Sequence, residues 1–142
     1  MARVFERRVG DKVIEVTLDP DKDLKLGKNL GREANKVAAT IGLVGELMAD
    51  VAQELRVLDG QYRSWRATAY KTVLNKDHKI AEWKARQFVE SRKMFMEFKE
   101  DIGKAEGDLE FLRRYHEALR TKASMIRGRI ELLRIEHGAT TQ

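Results

Sequence analysis

VAATIGLVGELMADVAQELRVLDGQYRSWRATA, residues 37–69, repeats its apolar side chains with a helical period. Val37, Ile41, Val44, Met48, Val51, Leu55, Leu58, Tyr62, Trp65 and Ala69 follow one another at alternating gaps of four and three, a seam of nearly five heptads. Two apolar residues in seven make a narrow stripe, and such a stripe needs a partner helix to cover it. Gly42, Gly45 and Gly60 interrupt the pattern at about 1 kcal/mol each relative to alanine. Close approach of a second helix is the expected compensation.

Upstream of the seam the period falls to two. Val13 to Leu18 alternates, which sets Ile14, Val16 and Leu18 on one face. RVFERRVGDKVIEVTL (3–18) therefore reads as a β-hairpin closed at Gly10-Asp11, a two-residue turn in which glycine takes the positive φ. An isolated hairpin is marginal in water, so this one should lean on a helix or on a neighbouring subunit. Asp19-Pro20-Asp21 ends the second strand, and residues 21–31 are expected to form a polar connection.

Downstream, LNKDH (74–78) is the expected helix break. A second seam follows: Phe88, Phe95, Phe98, Ile102, Ala105, Leu109, Leu112, His116, Leu119, Ala123, Ile126, Ile130 and Leu133. Gly103 and Gly107 either divide it into two helices or lie four apart on one long one. The expected fold is mainly α, with long antiparallel, coiled-coil-like helices preceded by a short N-terminal β-hairpin. A chain of 142 residues is expected to be one domain. Its parts are the hairpin and connection over 1–31, a first long helix over 34–74 and the remaining helices over 78–137.

The composition, 36% charged and 42% apolar with one proline, suits a helix-rich water-soluble chain. Without cysteine there are no disulfides or thiolate ligands. No run approaches the 18 apolar residues of a membrane span, and MARVFERRVGDK has no apolar signal region. A cytoplasmic setting is the expectation.

Catalytic and metal chemistry find no support. His78, His116 and His137 are scattered and outside any metal-ligand spacing. DPDKD (19–23) opens like a calcium loop but has Leu24 where glycine is required and Leu30 where glutamate is required. GKN (27–29) lacks the upstream glycine and following hydroxyl of a phosphate loop. No enzyme, cofactor or metal site is expected.

The net charge of +5 is distributed unevenly. Residues 61–93 hold nine basic and three acidic side chains, and residues 113–134 hold seven and two, with an acidic block between them. A solvated helix normally mixes its signs, so a threefold excess of cations over 33 residues asks for a polyanion. Arg63, Arg66 and Tyr70 fall three and four apart on one face beside the seam. Lys71, Lys76 and Lys79 cluster round the expected break, followed by Trp83, Lys84 and Arg86. Trp65 lies on the seam and is expected in the core, whereas Trp83 lies one position off its seam and is the better platform for a base. Cations that neutralise phosphates, beside aromatics that stack on bases, are what single-stranded nucleic acid requires. With no helix-turn-helix, zinc finger or base-reading motif present, binding should be indifferent to sequence. The second block, Arg113, Arg114, Arg120, Lys122, Arg127, Arg129 and Arg134, either extends the track or meets an acidic partner.

AEWKARQFVESRKMFMEFKEDIGKAEGDLEFLRRYHEALRTKASMIRGRIELLR (81–134) resembles the C-terminal half of the UvsY-like family of phage recombination mediators. The likeness is carried by Glu82, Lys84 and Val89-Glu90-Ser91, then Phe95, then Ala105, Glu106, Leu109, Leu112, Glu117-Ala118-Leu119 and Lys122. Upstream, YRSWRATAYK (62–71) matches the family's basic, aromatic helix end, so the resemblance spans roughly residues 46–134 and leaves the hairpin out. It implies a small, ring-forming helical protein that binds single-stranded DNA. Such a protein helps load a RecA-like recombinase onto DNA covered by single-strand-binding protein. It also implies Arg63 and Arg66 as DNA contacts, with Lys71 their neighbour. The alternative is a structural or adaptor coiled coil, such as a phage assembly or scaffold protein, without nucleic-acid binding.

Overall fold

In the computed structural model, which describes residues 2–140, strands β1 (Arg3–Val9) and β2 (Lys12–Leu18) pair antiparallel, Arg3 opposite Leu18 and Val9 opposite Lys12. Gly10 turns the chain at φ 62° with Asp11 on the ordinary side, the turn whose twist matches the strands. Then come α1 (Pro20–Asp23), α2 (Leu30–Lys76), α3 (Glu82–Glu90) and α4 (Lys93–Thr140). The molecule is mainly helical with an N-terminal two-stranded sheet, as its periodicity requires. The long helices extend beyond the apolar seams that define them. α2 starts before Ala34, and α4 passes Gly103 and Gly107 unbroken. The break falls at Lys76, and a second one at Ser91-Arg92 cuts off α3.

Two compact units result. One joins the chain up to Met48 with the segment from Phe111 onward. In it the hairpin leans on both helices. Phe5 stacks on Phe111 of α4 with ring centres 6.0 Å apart, and Phe111 on Tyr115 at 5.9 Å. Arg3 lies 4.5 Å over the Phe111 ring, and Arg7 pairs with Glu46 of α2. Phe5, Leu18, Val37, Val44, Leu47, Leu112, Leu119 and Ile126 form its buried apolar set. Burial of a leucine or isoleucine contributes about 1.5–3 kcal/mol.

A polar node secures the link between hairpin and helices. Asp19 caps α1 by accepting the Asp21 amide at 3.1 Å, with Pro20 at the first helical position. The Asp23 carboxylate accepts the Asp19 amide at 3.1 Å and the Tyr115 hydroxyl at 2.5 Å. Lys122 donates to the Asp23 carbonyl and to Glu33 of the first turn of α2, both at 2.7 Å. Lys122 is 4% exposed, a cation from the C-terminal basic block placed inside the molecule. Its hydrogen bond and charge hold the Glu33 carboxyl below its ordinary value. Burial first, and then the Asp23 bond, raise the Tyr115 phenol.

The node corrects the second seam. Ala105, Leu112, Leu119 and Ile126 are buried as expected, but the positions alternating with the last three are Tyr115 and Lys122, while His116 and Ala123 are only half-buried. The first seam holds better: Val37, Val44, Val51, Tyr62 and Ala69 are buried and the seam residues between them half-buried, with one slip, Leu47 being buried in place of Met48. Close helix approach does not compensate its glycines, however. A Cβ on Gly42, Gly45 or Gly60 would meet nothing within 4 Å.

The second unit is Ala49–Glu110, in which the end of α2 packs on α3 and the start of α4. Its aromatic centre joins Tyr62 and Trp65 of α2 to Phe98 of α4 at 5.8 and 5.7 Å, with Phe95 at 6.2 Å from Tyr62. Lys99 covers the Tyr62 ring at 4.8 Å. Trp65 is therefore a packing residue, as its seam position requires.

Candidate nucleic-acid interface

Two small steps in the sequence build the corner that carries the basic stretch. Ala69 and Val73 on α2, four apart, meet Ala85 and Val89 on α3, also four apart, and all four are buried. Alanine on both sides lets the helices approach closely. Tyr70, Trp65 and Ile80 pack round that contact. The turn between the helices is pinned by Asp77, whose carboxylate accepts the Lys79 amide at 3.1 Å. With Ala85 and Val89 facing inward, the rest of α3 faces solvent.

The nine sequence-predicted residues fall in distinct settings. Arg63 is exposed and pairs with Asp59 one turn back at 3.1 Å. Arg66 is half-buried, 5.6 Å over the Tyr70 ring. The Tyr70 hydroxyl raises the Arg66 pKa further, so this cation persists at any physiological pH. Tyr70 itself is half-buried against the Ala69–Val89 contact, which leaves only part of its ring accessible. Lys71, Lys76 and Lys79 are exposed. Trp83, in the first turn of α3, is 60% exposed, with the Lys84 ammonium 5.7 Å from its ring. Arg86 pairs loosely with Glu82 at 3.8 Å. Exposed pairs of this kind contribute at most about 1 kcal/mol and yield readily to a phosphate.

Lys76 lines a cleft at the helix corner. Its walls are Val73, Lys76, Asp77, Ile80, Phe88 and Arg92, with Lys84, Gln87 and Ser91 on an adjoining hollow. Phe88 and Arg92 were not foreseen. Phe88 was expected in the second seam but is 57% exposed. The gap of seven between Phe88 and Phe95, with no apolar residue at the intervening step, was the available signal that the helix is interrupted there.

Among the described residues no cluster of His, Asp or Glu could hold a metal ion, and no helix is long and apolar enough to cross a membrane. A two-stranded hairpin leads into two long helices, with a short helix turning the corner between them and exposed cations and aromatics at that corner. That arrangement defines a class of small, mainly helical folds. Among solved structures this chain is similar in fold to the recombination mediator protein UvsY of bacteriophage T4, with a TM-score of 0.65. The match covers 82% of this chain and 91% of that one at 14% identity, a likeness of fold that reaches beyond residues 46–134. No family model and no curated protein sequence matches the chain.

Proposed function

We propose that this chain is a single-stranded-DNA-binding recombination mediator. It would act without catalysis, helping to load a RecA-like recombinase onto DNA covered by single-strand-binding protein. The observation that carries the proposal is the fold shared over 82% of the chain with a phage recombination mediator. The exposed cations of residues 61–93 support it independently. Arg63, Lys71, Lys76, Lys79, Lys84 and Arg86 are exposed, which is how phosphate-neutralising side chains must be presented, with Arg66 beside them. Trp83 and the open part of Tyr70 are the stacking surfaces.

Assembly into a homo-oligomer, read as a ring, belongs to the same proposal. It is supported by apolar side chains that one copy leaves uncovered near the end of α4, where Leu132, Leu133 and Ile135 are 60%, 48% and 61% exposed. One strip would bind weakly, and its repetition would make a continuous positive track.

Titration of fluorescent oligo-dT at several salt concentrations tests the proposal. With five or six phosphates neutralised per bound segment, log affinity should fall against log salt with a slope of roughly −4. Absence of binding at low salt would overturn it. Native mass spectrometry with and without the oligonucleotide reports the stoichiometry.

A further inference from the structure

The cleft at the α2–α3–α4 corner has an apolar wall and a cationic rim, a combination that phosphate tracking alone does not require. Val73, Ile80 and Phe88 supply the apolar surface. Lys76 and Arg92 border it, and Lys84 borders the adjoining hollow. None of the three cations makes an ion pair among the described residues. Asp77 is the single acid in the lining, and its carboxylate already accepts the Lys79 amide at 3.1 Å. The volume is about 340 Å³, at the small end of sites that hold a small organic group.

Phe88 decides what fits. Phe88 is 57% exposed although it lies in the sequence between Ala85 and Val89, the two buried residues of this helix. An exposed ring inside a cationic rim suits a flat, apolar-faced group attached to a phosphate. We infer that this cleft receives one unstacked base of a bound single strand, stacked on Phe88, while Lys76, Arg92 and Lys84 neutralise the flanking phosphates. The inference rests on the DNA-binding function proposed above and adds a site to it. Trp83 and Tyr70 then serve the strand outside the cleft, and Phe88 holds one base within it.

An acidic peptide that inserts an apolar side chain would meet the same rim. Exposed cations at Lys71, Lys79 and Arg86 in the same α2–α3 segment suit the repeated charge of a strand better than they suit one acidic peptide, so the nucleic acid is the occupant argued here.

The test compares an oligonucleotide with one carrying abasic sites along its length, against wild-type protein and Phe88→Ala. Wild type should prefer the base-bearing strand, and Phe88→Ala should weaken that strand roughly 5- to 100-fold while leaving the abasic strand unchanged. Phe88→Trp should restore the preference and report binding by quenching of the added indole. Lys76→Glu with Arg92→Glu should weaken both strands and flatten the salt slope by about 1.4. Phe88 is a surface residue, and unchanged circular dichroism confirms that its variants fold. If Phe88→Ala binds both strands as wild type does, the cleft is not a base site, although the protein still binds DNA. If wild type binds neither strand, the parent proposal fails instead. Binding of an acidic, phenylalanine-ended peptide that Phe88→Ala abolishes, with the strands unaffected, would reassign the cleft to a protein partner.

Discussion

The two basic blocks look alike as sequence and differ in the folded chain. Residues 113–134 place one of their seven cations, Lys122, at the centre of the hairpin–helix node, 4% exposed and bonded to Glu33 and the Asp23 carbonyl, while the six arginines stay exposed. Residues 61–93 leave Lys71, Lys76, Lys79 and Lys84 at the surface with no carboxylate partner among the described residues. A cation near an apolar seam goes inward when the fold supplies enough acceptors to replace water. Otherwise its stem covers apolar surface and its charge stays out. The difference lies in the facing segment. Glu33 and Asp23 precede the seam of α2 and come opposite α4, whereas α3 offers the end of α2 little but alanine, valine and more cations.

Applying one substitution to both blocks is the strongest way to break this contrast. Lys122→Met should lower the melting temperature by about 5 °C or more, because it leaves the Asp23 carbonyl and Glu33 without their donor. Lys76→Met should change stability by no more than about 0.5 kcal/mol and should instead weaken the binding of single-stranded DNA. Thermal melts with oligonucleotide titrations read both. Equal melting losses would mean that Lys76 too has a structural partner.

The next effect falls mainly on binding. Arg63→Glu with Arg66→Glu should flatten the salt dependence of DNA affinity by about 1.4 and lower stability by no more than about 1–2 kcal/mol, since the Arg63–Asp59 pair is exposed and Arg66 gives up only its contact with the Tyr70 ring. Unchanged affinity together with unchanged oligomer size would reduce the strip to a solvated face and favour the adaptor coiled coil.

Acidification separates the blocks more gently. Folded Glu33 holds its proton less tightly than an ordinary carboxyl of pKa 4.5, so its bond to Lys122 is complete above that pH. The contribution is lost as pH falls from 4.5 through the lower folded value. Glu33→Gln should therefore be less stable than wild type at neutral pH and lose less on acidification through that window. Urea midpoints across pH 3–7 measure it, and parallel curves would remove Glu33 from the acid response.

Much of this was legible beforehand. The first seam is read correctly to within a residue at each buried position, and the hairpin follows from alternation and one glycine, because both depend on local periodicity. The node was not legible, because it required Lys122 to be read as a core residue. Ala123 next to it fits the heptad equally well by count and better by polarity, so a one-residue slip put His116 and Ala123 where Tyr115 and Lys122 stand. Phe88 was misassigned for the converse reason. Periodicity makes this apolar position read as core, but α3 ends two residues later at Glu90 and leaves Phe88 57% exposed. Polarity predicts burial only when the facing segment is known, and single-chain periodicity does not contain it.

The smallest expected effect has the opposite sign and bears on assembly. Gly60 lies inside α2, exposed, and a Cβ there would meet nothing within 4 Å. Within one chain it therefore carries only the backbone entropy cost of glycine in a helix. Gly60→Ala should raise stability by about 0.5–1 kcal/mol, chiefly by restricting the unfolded chain. The same change at a glycine where another copy's backbone approaches would instead crowd the contact and reduce the oligomer. Chemical denaturation with native mass spectrometry of this one variant distinguishes the two. A gain in stability at unchanged subunit number places the position on a free face, so the seams and exposed apolar side chains elsewhere must account for assembly. A drop in subunit number would put the helix–helix approach expected from the sequence between copies rather than within one.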